Sequence, residues 1–231
     1  MNSVYHGDCM SLLGGIDDCS IDLICIDPPY EISYLREAWD EYGLQWDDLF
    51  AHYKRILKPT GNLIIFQGWS NVCNTIGIGN NYFTLKNWII YDRIKGRGAT
   101  KNVVSTREDI LWYTLSSDPT YNKIPSTIIK KTKGLGEKNG NPYRAMSNVW
   151  TDISPIVPWS KERNAHPTQK PIKLMERIVT MFSNEGDTVL DCFAGSGSTL
   201  VAAKNLNRNY IGIEREQSYY DIIMSRLNLV E

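Results

Sequence analysis

The last third of the chain contains a strand–helix–strand pattern that leaves little freedom in the choice of fold. Residues 187–193, DTVLDCF, are predicted to form a strand, residues 198–206, STLVAAKNL, a helix, and residues 210–216, YIGIERE, a second strand. Two strands that are joined through a helix run parallel, and a parallel sheet is covered by helices on its faces. The sequence therefore predicts an α/β fold.

The same alternation extends over most of the chain. Apolar periodicity predicts further strands and helices; the strands are 21–26, 62–66, 87–93 and 109–115, and the helices are 46–57, 70–79, 171–183 and 217–229. From about 116 to 165 the pattern is lost, and this stretch holds five of the ten prolines. We predict one domain over residues 1–231, a Rossmann-like, twisted and mostly parallel sheet with helices on both faces, with a small loop-rich lobe at about 116–165.

The charge distribution is uneven although the net charge is only −1. Residues 1–58 hold 4 basic and 11 acidic side chains, whereas residues 86–144 hold 12 basic and 5 acidic ones. A strongly basic segment in a nearly neutral protein is typical of a localised surface that binds a polyanion, and a merely solvated lysine-rich surface is the alternative.

Several classes of protein are disfavoured by the composition. No apolar run approaches the ~20 residues of a membrane span, and the first ten residues lack the layout of a signal peptide, so we expect a cytosolic protein. The five cysteines form no CxxC pair, and the three histidines are scattered. We therefore expect reduced thiols and no bound metal.

A glycine-rich turn joins the predicted strand at 187–193 to the following helix. Gly195 and Gly197 allow a ligand to approach the start of the helix, and Glu214 ends the next strand, where a carboxylate can accept hydrogen bonds from ribose hydroxyls. A dinucleotide fingerprint requires a third glycine where Leu200 stands, and a phosphate loop requires a lysine that is absent after Gly197. A nucleoside cofactor without phosphates is favoured, and S-adenosylmethionine fits this description.

Three motifs together resemble a known family. DPPY at 27–30, HPTQKP at 166–171 and DCFAGSGST at 191–199 occur in the order of the beta group of amino-group DNA methyltransferases, the restriction-modification-like enzymes that modify adenine N6 or cytosine N4. The segments GDCMSLL at 7–13, LKPTGNLIIF at 57–66 and TREDILWYT at 106–114 also resemble parts of this family. The resemblance covers most of the chain except about 116–160.

The resemblance implies that Asp27, Pro28, Pro29 and Tyr30 form the catalytic motif. An exocyclic amine is a weak nucleophile because its lone pair is delocalised into the ring, and acceptors that hold its two hydrogens favour a tetrahedral nitrogen. Asp27 and the carbonyl of Pro28 supply such acceptors, and the double proline fixes them in a rigid turn. Tyr30 offers a face on which a flipped-out base stacks.

The cofactor site that the resemblance implies gathers residues from five parts of the chain. Asp8 is expected to meet the adenine of the cofactor, Thr168 and Lys170 its methionine end, Asp191 its ammonium group and Phe193 its apolar surface. The full set of expected cofactor-binding residues is Asp8, Cys9, Asp27, Thr168, Lys170, Asp191, Phe193, Gly195, Gly197, Ser198 and Glu214.

Double-stranded DNA is the expected partner. The basic segment supplies the residues expected to contact phosphates, namely Lys95, Arg97, Lys130, Lys131 and Lys133. The resemblance favours methylation of adenine at N6, with cytosine N4 as the alternative; a homodimer and a functional pairing with a restriction endonuclease are further expectations. A nicotinamide-linked oxidoreductase and a catalytically silent DNA-binding subunit are the alternatives from other classes.

Overall fold

The computed structural model describes residues 2–30, 43–97, 101, 103–129 and 143–228. In these ranges the strands are β1 Ser3–His6, β2 Ile21–Ile26, β3 Leu57–Gln67, β4 Thr84–Arg97, β5 Ser105–Thr114, β6 Pro125–Ile129, β7 Tyr143–Ala145, β8 Val149–Trp150, β9 Thr188–Asp191 and β10 Asn209–Glu214. The helices are α1 Cys9–Leu13, α2 Trp46–Ile56, α3 Val72–Gly79, α4 Ile172–Phe182, α5 Ser198–Asn205 and α6 Gln217–Arg226.

A single large sheet organises these elements. Its strand order is β1-β10-β9-β2-β3-β5-β4-β8, and every neighbouring pair is parallel except the two that involve β5. The predicted α/β fold with a mostly parallel sheet is therefore confirmed. β6 and β7 pair with each other in a separate two-stranded sheet.

Helices cover both faces of the large sheet because the central strands are apolar on both sides. Along β2, Leu23 and Cys25 pack into one buried cluster and Ile24 and Ile26 into another. Helices α4 and α5 contribute to the first cluster, and α2 contributes to the second. Side chains that alternate across a strand and are apolar on both faces produce the continuous hydrophobic run that the sequence displays.

The differences from the predicted elements are small and local. The short β1 and α1 were not predicted, because four and five residues carry too little periodicity. Helix α4 begins at Ile172, since Pro171 takes an extended conformation at the N-cap position instead of the first helical position. Within the predicted lobe, β8 joins the large sheet beside β4. No helix in the described ranges is long and apolar enough to span a membrane.

The direction of the strands decides where functional groups meet. Strands β1, β10, β9, β2, β3 and β4 all run the same way, so their carboxyl ends lie at one edge of the sheet. The DPPY turn follows β2, the glycine-rich turn follows β9, and Glu214 ends β10. In open α/β sheets ligands bind outside this edge.

Candidate active site

A cleft of about 860 Å³ opens at the carboxyl edge of the sheet. It is lined by nearly all of the catalytic and cofactor residues expected from the sequence, which are Asp8, Cys9, Asp27, Pro28, Pro29, Tyr30, Thr168, Lys170, Asp191, Phe193, Gly195, Ser198 and Glu214. Gly197 is the exception, because it faces α6: a Cβ built there would lie 3.0 Å from Ile223. The fold therefore brings five separate segments of the chain into one site.

The glycine-rich turn is held in shape by the acid at the end of β10. Gly195 and Gly197 have φ values of +52° and +76°, which favour glycine. The backbone N–H of Gly195 donates to Glu214 Oε2 over 2.6 Å, and the N–H of Glu216 donates to Glu214 Oε1 over 2.8 Å. Glu214 thus anchors the turn, and each of its oxygens keeps a second lone pair that a ribose hydroxyl can use.

Asp191 is a buried carboxyl group in the same half of the cleft. Burial raises its pKa from 3.8 to about 7, although its Oδ1 accepts a hydrogen bond of 3.1 Å from the N–H of Phe193. Burial also raises the pKa of Glu214. Two carboxyl groups suit a ligand with hydroxyls and an ammonium group and repel a phosphate, so the donor set fits S-adenosylmethionine better than a dinucleotide.

The catalytic turn is fixed by hydrogen bonds to both oxygens of Asp27. The hydroxyl of Tyr30 donates to Oδ1 over 2.7 Å, and Lys170 Nζ donates to Oδ2 over 2.6 Å. The side chain of Asn71 donates to the carbonyl of Tyr30 over 2.6 Å, and Gly68 lies against the Tyr30 ring, since a Cβ there would come within 3.3 Å of the ring. This support holds the carboxylate and the ring in one preorganised arrangement.

Lys170 links Asp27 to a second carboxylate. Its Nζ lies 3.4 Å from Glu108 Oε2, and its side chain is 8% exposed. Burial alone lowers the pKa of Lys170, but the charges of Asp27 and Glu108 outweigh this effect and raise the pKa above its usual value. Lys170 is therefore a buried cation, and the structure adds a contact with Asp27 to the position beside the cofactor that the sequence analysis predicts for Lys170.

The HPTQKP segment packs over the glycine-rich turn. The ring of His166 lies 4.4 Å from that of Tyr219 and so close to Gly195 that a Cβ there would be 2.9 Å from its Nε2. Burial lowers the pKa of His166 to about 4, so the imidazole is neutral at physiological pH. The hydroxyl of Ser198 donates to the carbonyl of Lys170 over 2.9 Å, which ties this segment to the start of α5.

Comparison with known proteins agrees with this geometry. The N6_N4_Mtase family, described as DNA methylase, matches residues 21–225. The chain belongs to this family of DNA methylases. Membership confirms the expected enzyme class, an amino-group DNA methyltransferase of the restriction-modification type. S-adenosylmethionine is the cofactor of this class.

Two Type II methyltransferases are among the proteins that are similar to this DNA methylase. M1.MboII of Moraxella bovis is 32% identical over 259 residues, which cover 100% of this chain and 98% of that protein. M.BglII of Bacillus subtilis is 33% identical over 248 residues, which cover 96% of this chain and 68% of that protein.

Solved structures of similar shape support the same fold. The crystal structure of an M1.HpyAVI–SAM complex has a TM-score of 0.68 at 26% identity and covers 99% of this chain and 100% of that one. The cytosine-N4-specific PvuII DNA methyltransferase has a TM-score of 0.73 at 20% identity, covering 100% of this chain and 88% of that one, and this likeness concerns the fold alone.

The DNA methylase cleft also contains residues that the sequence analysis missed. Trp69, which is 62% exposed, follows β3, and Tyr91, Arg93 and Glu108 lie on β4 and β5. The sequence signal that could have identified these residues was Glu108, a charged residue directly before the mostly apolar run DILWYT. Such an acid in a central strand is seldom buried without a partner.

The residues expected to bind DNA are only partly placed. Lys95 and Arg97 lie in β4, in the half of the sheet that contains Arg93. Lys130, Lys131 and Lys133 lie outside the described residues.

Proposed function

We propose that this DNA methylase transfers a methyl group from S-adenosylmethionine to N6 of adenine in double-stranded DNA. The observation that carries the proposal is the position of Asp27, whose carboxylate is oriented by Tyr30 and Lys170 in the same cleft as Asp191 and Glu214. A catalytic acceptor and a nucleoside site thereby share one enclosed space.

The chain's own residues orient the reactants. S-adenosylmethionine supplies an electrophilic methyl group on a sulfonium. Asp27 accepts a hydrogen bond from the target amine, which draws the nitrogen lone pair out of conjugation, and Tyr30 stacks on the flipped base. When bound, S-adenosylmethionine would give its methyl group to the amine nitrogen and leave as the neutral thioether S-adenosylhomocysteine, and the proton that the nitrogen loses would pass to the Asp27 carboxylate or to solvent. Most of the rate enhancement comes from holding these groups in line.

The anchoring of Asp27 favours this chemistry over a silent subunit. A buried Lys170 that serves Asp27 and Glu108 costs stability unless its charge is compensated, and such a network has its clearest use in orienting a catalytic acid. DPPY is found with both target bases, and the resemblance of the motifs as a set favours adenine.

The experiment that tests the proposal is methyl incorporation followed by base analysis. Purified protein is incubated with labelled S-adenosylmethionine and genomic DNA of mixed sequence, and the DNA is digested to nucleosides. We expect labelled N6-methyladenine. Labelled N4-methylcytosine would show that cytosine is the methylated base instead of adenine. An unlabelled digest, together with binding of NAD measured by calorimetry, would support the oxidoreductase.

We also propose that the segment at about 116–165 selects the DNA sequence and that the basic segment contacts phosphates. The support is the positive charge of residues 86–144 and the position of β4 beside the cleft. A restriction endonuclease that cuts the unmethylated form of the same site is the expected functional partner, and a homodimer remains an expectation that ultracentrifugation tests.

A further inference from the structure

The wall of the cleft beyond Asp27 is formed by β4 and β5. In the sheet order, β9 and β10, which carry expected cofactor residues, lie on one side of β2. β5 and β4 lie on its other side. Tyr91 and Glu108 are direct partners in the antiparallel pair of β4 and β5, so their side chains lie on one face, and Arg93 follows on the same face. All three line the cleft.

This wall carries buried polar atoms that lack a hydrogen-bond partner within the described ranges. They are the hydroxyl of Tyr91, Nε of Arg93 and Oε2 of Glu108. Glu108 still has charged neighbours, because Arg93 Nη1 lies 3.5 Å from its Oε1 and Lys170 Nζ lies 3.4 Å from its Oε2. Tyr91 is 1% exposed, and its hydroxyl has no hydrogen-bond partner in the part of the chain that the structure describes. Because Tyr91 lines the cleft, its buried hydroxyl without a partner is a candidate for contact with a ligand.

The chemistry of an amino base indicates which ligand atom fits. In adenine and in cytosine the carbon that bears the exocyclic amine is bonded to a ring nitrogen with a free lone pair, N1 or N3. When the amine donates to Asp27, a group that contacts this ring nitrogen has to be a donor, and the carboxylate of Glu108 cannot serve. Burial and the charge of Glu108 raise the pKa of Tyr91, so its hydroxyl keeps its proton.

We propose that the Tyr91 hydroxyl donates a hydrogen bond to the ring nitrogen adjacent to the methylated amine and is a specificity-determining residue of the target-base pocket. This inference rests on the proposed function, in which Asp27 holds the amine. Glu108 fits the role of an anionic neighbour that keeps Lys170 and Arg93 around the pocket. Together Asp27 and Tyr91 select a base edge that presents a donor next to an acceptor.

The first test is Tyr91→Phe, which removes only the hydroxyl. We expect kcat/KM on DNA to fall by about ten- to a hundredfold, the range for losing one buried hydrogen bond. The affinity for S-adenosylmethionine, measured by calorimetry, should stay unchanged. Tyr113→Phe is the matched control, because Tyr113 is also a fully buried tyrosine whose hydroxyl lacks a partner in the described part, but it packs in the other cluster, against Gly79, away from the cleft.

The second test distinguishes a contact with the base from a structural role. An oligonucleotide carries 1-deazaadenine, or 3-deazacytosine if cytosine is the methylated base, at the target position, so a C–H replaces the ring nitrogen. The parent should methylate it about tenfold or more slowly, and Tyr91→Phe should methylate both DNAs at the same rate. If the variant fails to fold, the rates of the parent enzyme on the two DNAs still test the contact with the ring nitrogen.

The outcomes separate the two proposals. If the parent methylates DNA but Tyr91→Phe equals it in kcat/KM, or if the parent does not distinguish the deaza base, the role of Tyr91 is overturned and the proposed function stands. A parent that transfers no methyl group to DNA overturns both. An equal loss in Tyr113→Phe shows a general packing effect and overturns the role as well.

Discussion

At the scale of the residue, the site is defined by how each acid is surrounded. Asp27 has a hydrogen-bond donor on each oxygen, whereas Asp191 is buried beside Phe193 and has a pKa of about 7. Asp27 is therefore paired with the cation Lys170, whereas Asp191 is poised between its two protonation states near neutral pH. Each difference has a measurable consequence.

Replacing Asp27 by Ala should abolish methyl transfer while leaving cofactor binding largely intact. The substitution removes the acceptor of the target amine but none of the groups around the glycine-rich turn. We expect the rate to fall by about a thousandfold or more, measured by methyl incorporation, with calorimetric affinity for S-adenosylmethionine within a few fold of the parent.

The control for this change lies on the same strand. Asp22 pairs with Lys58 over 2.8 Å and accepts from the N–H of Thr188, at the opposite end of β2. Asp22→Asn should lower the melting temperature without lowering the rate. Activity of Asp27→Ala within tenfold of the parent would contradict the role of Asp27.

Asp191 makes both stability and cofactor affinity depend on pH. Its pKa is raised by folding, so between pH 3.8 and about 7 the folded protein holds a proton that the unfolded chain has lost. The free energy of unfolding of the cofactor-free protein should therefore fall as pH rises through this window and level off above it. Asp191→Asn should flatten this part of the profile in denaturant titrations from pH 4.5 to 8.

The affinity for S-adenosylmethionine should change in the opposite direction. The ionised carboxylate attracts the ammonium group of the cofactor, so the parent should bind more tightly as pH rises from 6 to 7.5. The ratio of parent to Asp191→Asn affinity should grow over the same interval. A ratio that is independent of pH would remove Asp191 from the cofactor site.

At the scale of the element, the turn between β9 and α5 depends on residues from other elements for its shape. Glu214 at the end of β10 holds the N–H of Gly195, and His166 covers the same residue from the HPTQKP segment. The positive φ of Gly195 and the closeness of His166 leave no room for a side chain. The turn is thus an assembled structure and not a local one.

Gly195→Ala should weaken the binding of S-adenosylmethionine by about tenfold or more. The new Cβ meets the His166 ring at 2.9 Å at a backbone φ of +52°, so the turn or the HPTQKP segment must shift. Gly186→Ala is the matched control, because Gly186 also has a positive φ, +83°, but has no atom within 4 Å of the added Cβ. It should cost about 1 kcal/mol of stability and leave cofactor affinity unchanged. Equal losses of affinity in both variants would contradict this account.

At the scale of the whole molecule, charge is separated along the chain while the net charge stays near zero. The acidic first quarter supplies Asp27 and the supporting helix α2, and the basic segment includes β4 and β5. If the basic segment contacts DNA as proposed, we expect the DNA backbone to be attracted to the basic part and repelled by the acidic part, which would orient the duplex.

Neutralising Lys130, Lys131 and Lys133 together should reduce the salt dependence of DNA binding. Each lost phosphate contact lowers the slope of log affinity against log salt by about 0.9, and the preference among sequences should change little. The double variant Lys54→Gln and Lys173→Gln, which changes exposed lysines on helices α2 and α4, serves as control. A triple variant with the parental slope would place the DNA-binding surface elsewhere.

The sequence by itself determined the class of the fold and the cofactor half of the site. Long apolar runs that alternate with amphipathic segments carry strong periodicity, and the positive φ of the glycines before α5 is a local backbone requirement, although the shape of the whole turn also depends on Glu214 and His166. DPPY was equally visible in the sequence, because two prolines after a buried strand restrict the backbone locally, although Lys170 and Asn71 complete the support of the turn.

Only the tertiary structure decided what surrounds these motifs. The contact of Lys170 with Asp27 joins residues 143 positions apart, and the pairing of Tyr91 with Glu108 depends on the register of β4 and β5. The addition of β8 beside β4 likewise depends on a long-range pairing. Register, burial and the charge of a neighbour are properties of packed elements, so the wall of the cleft beyond Asp27 could be identified only once the sheet order had placed β5 and β4 on the far side of β2.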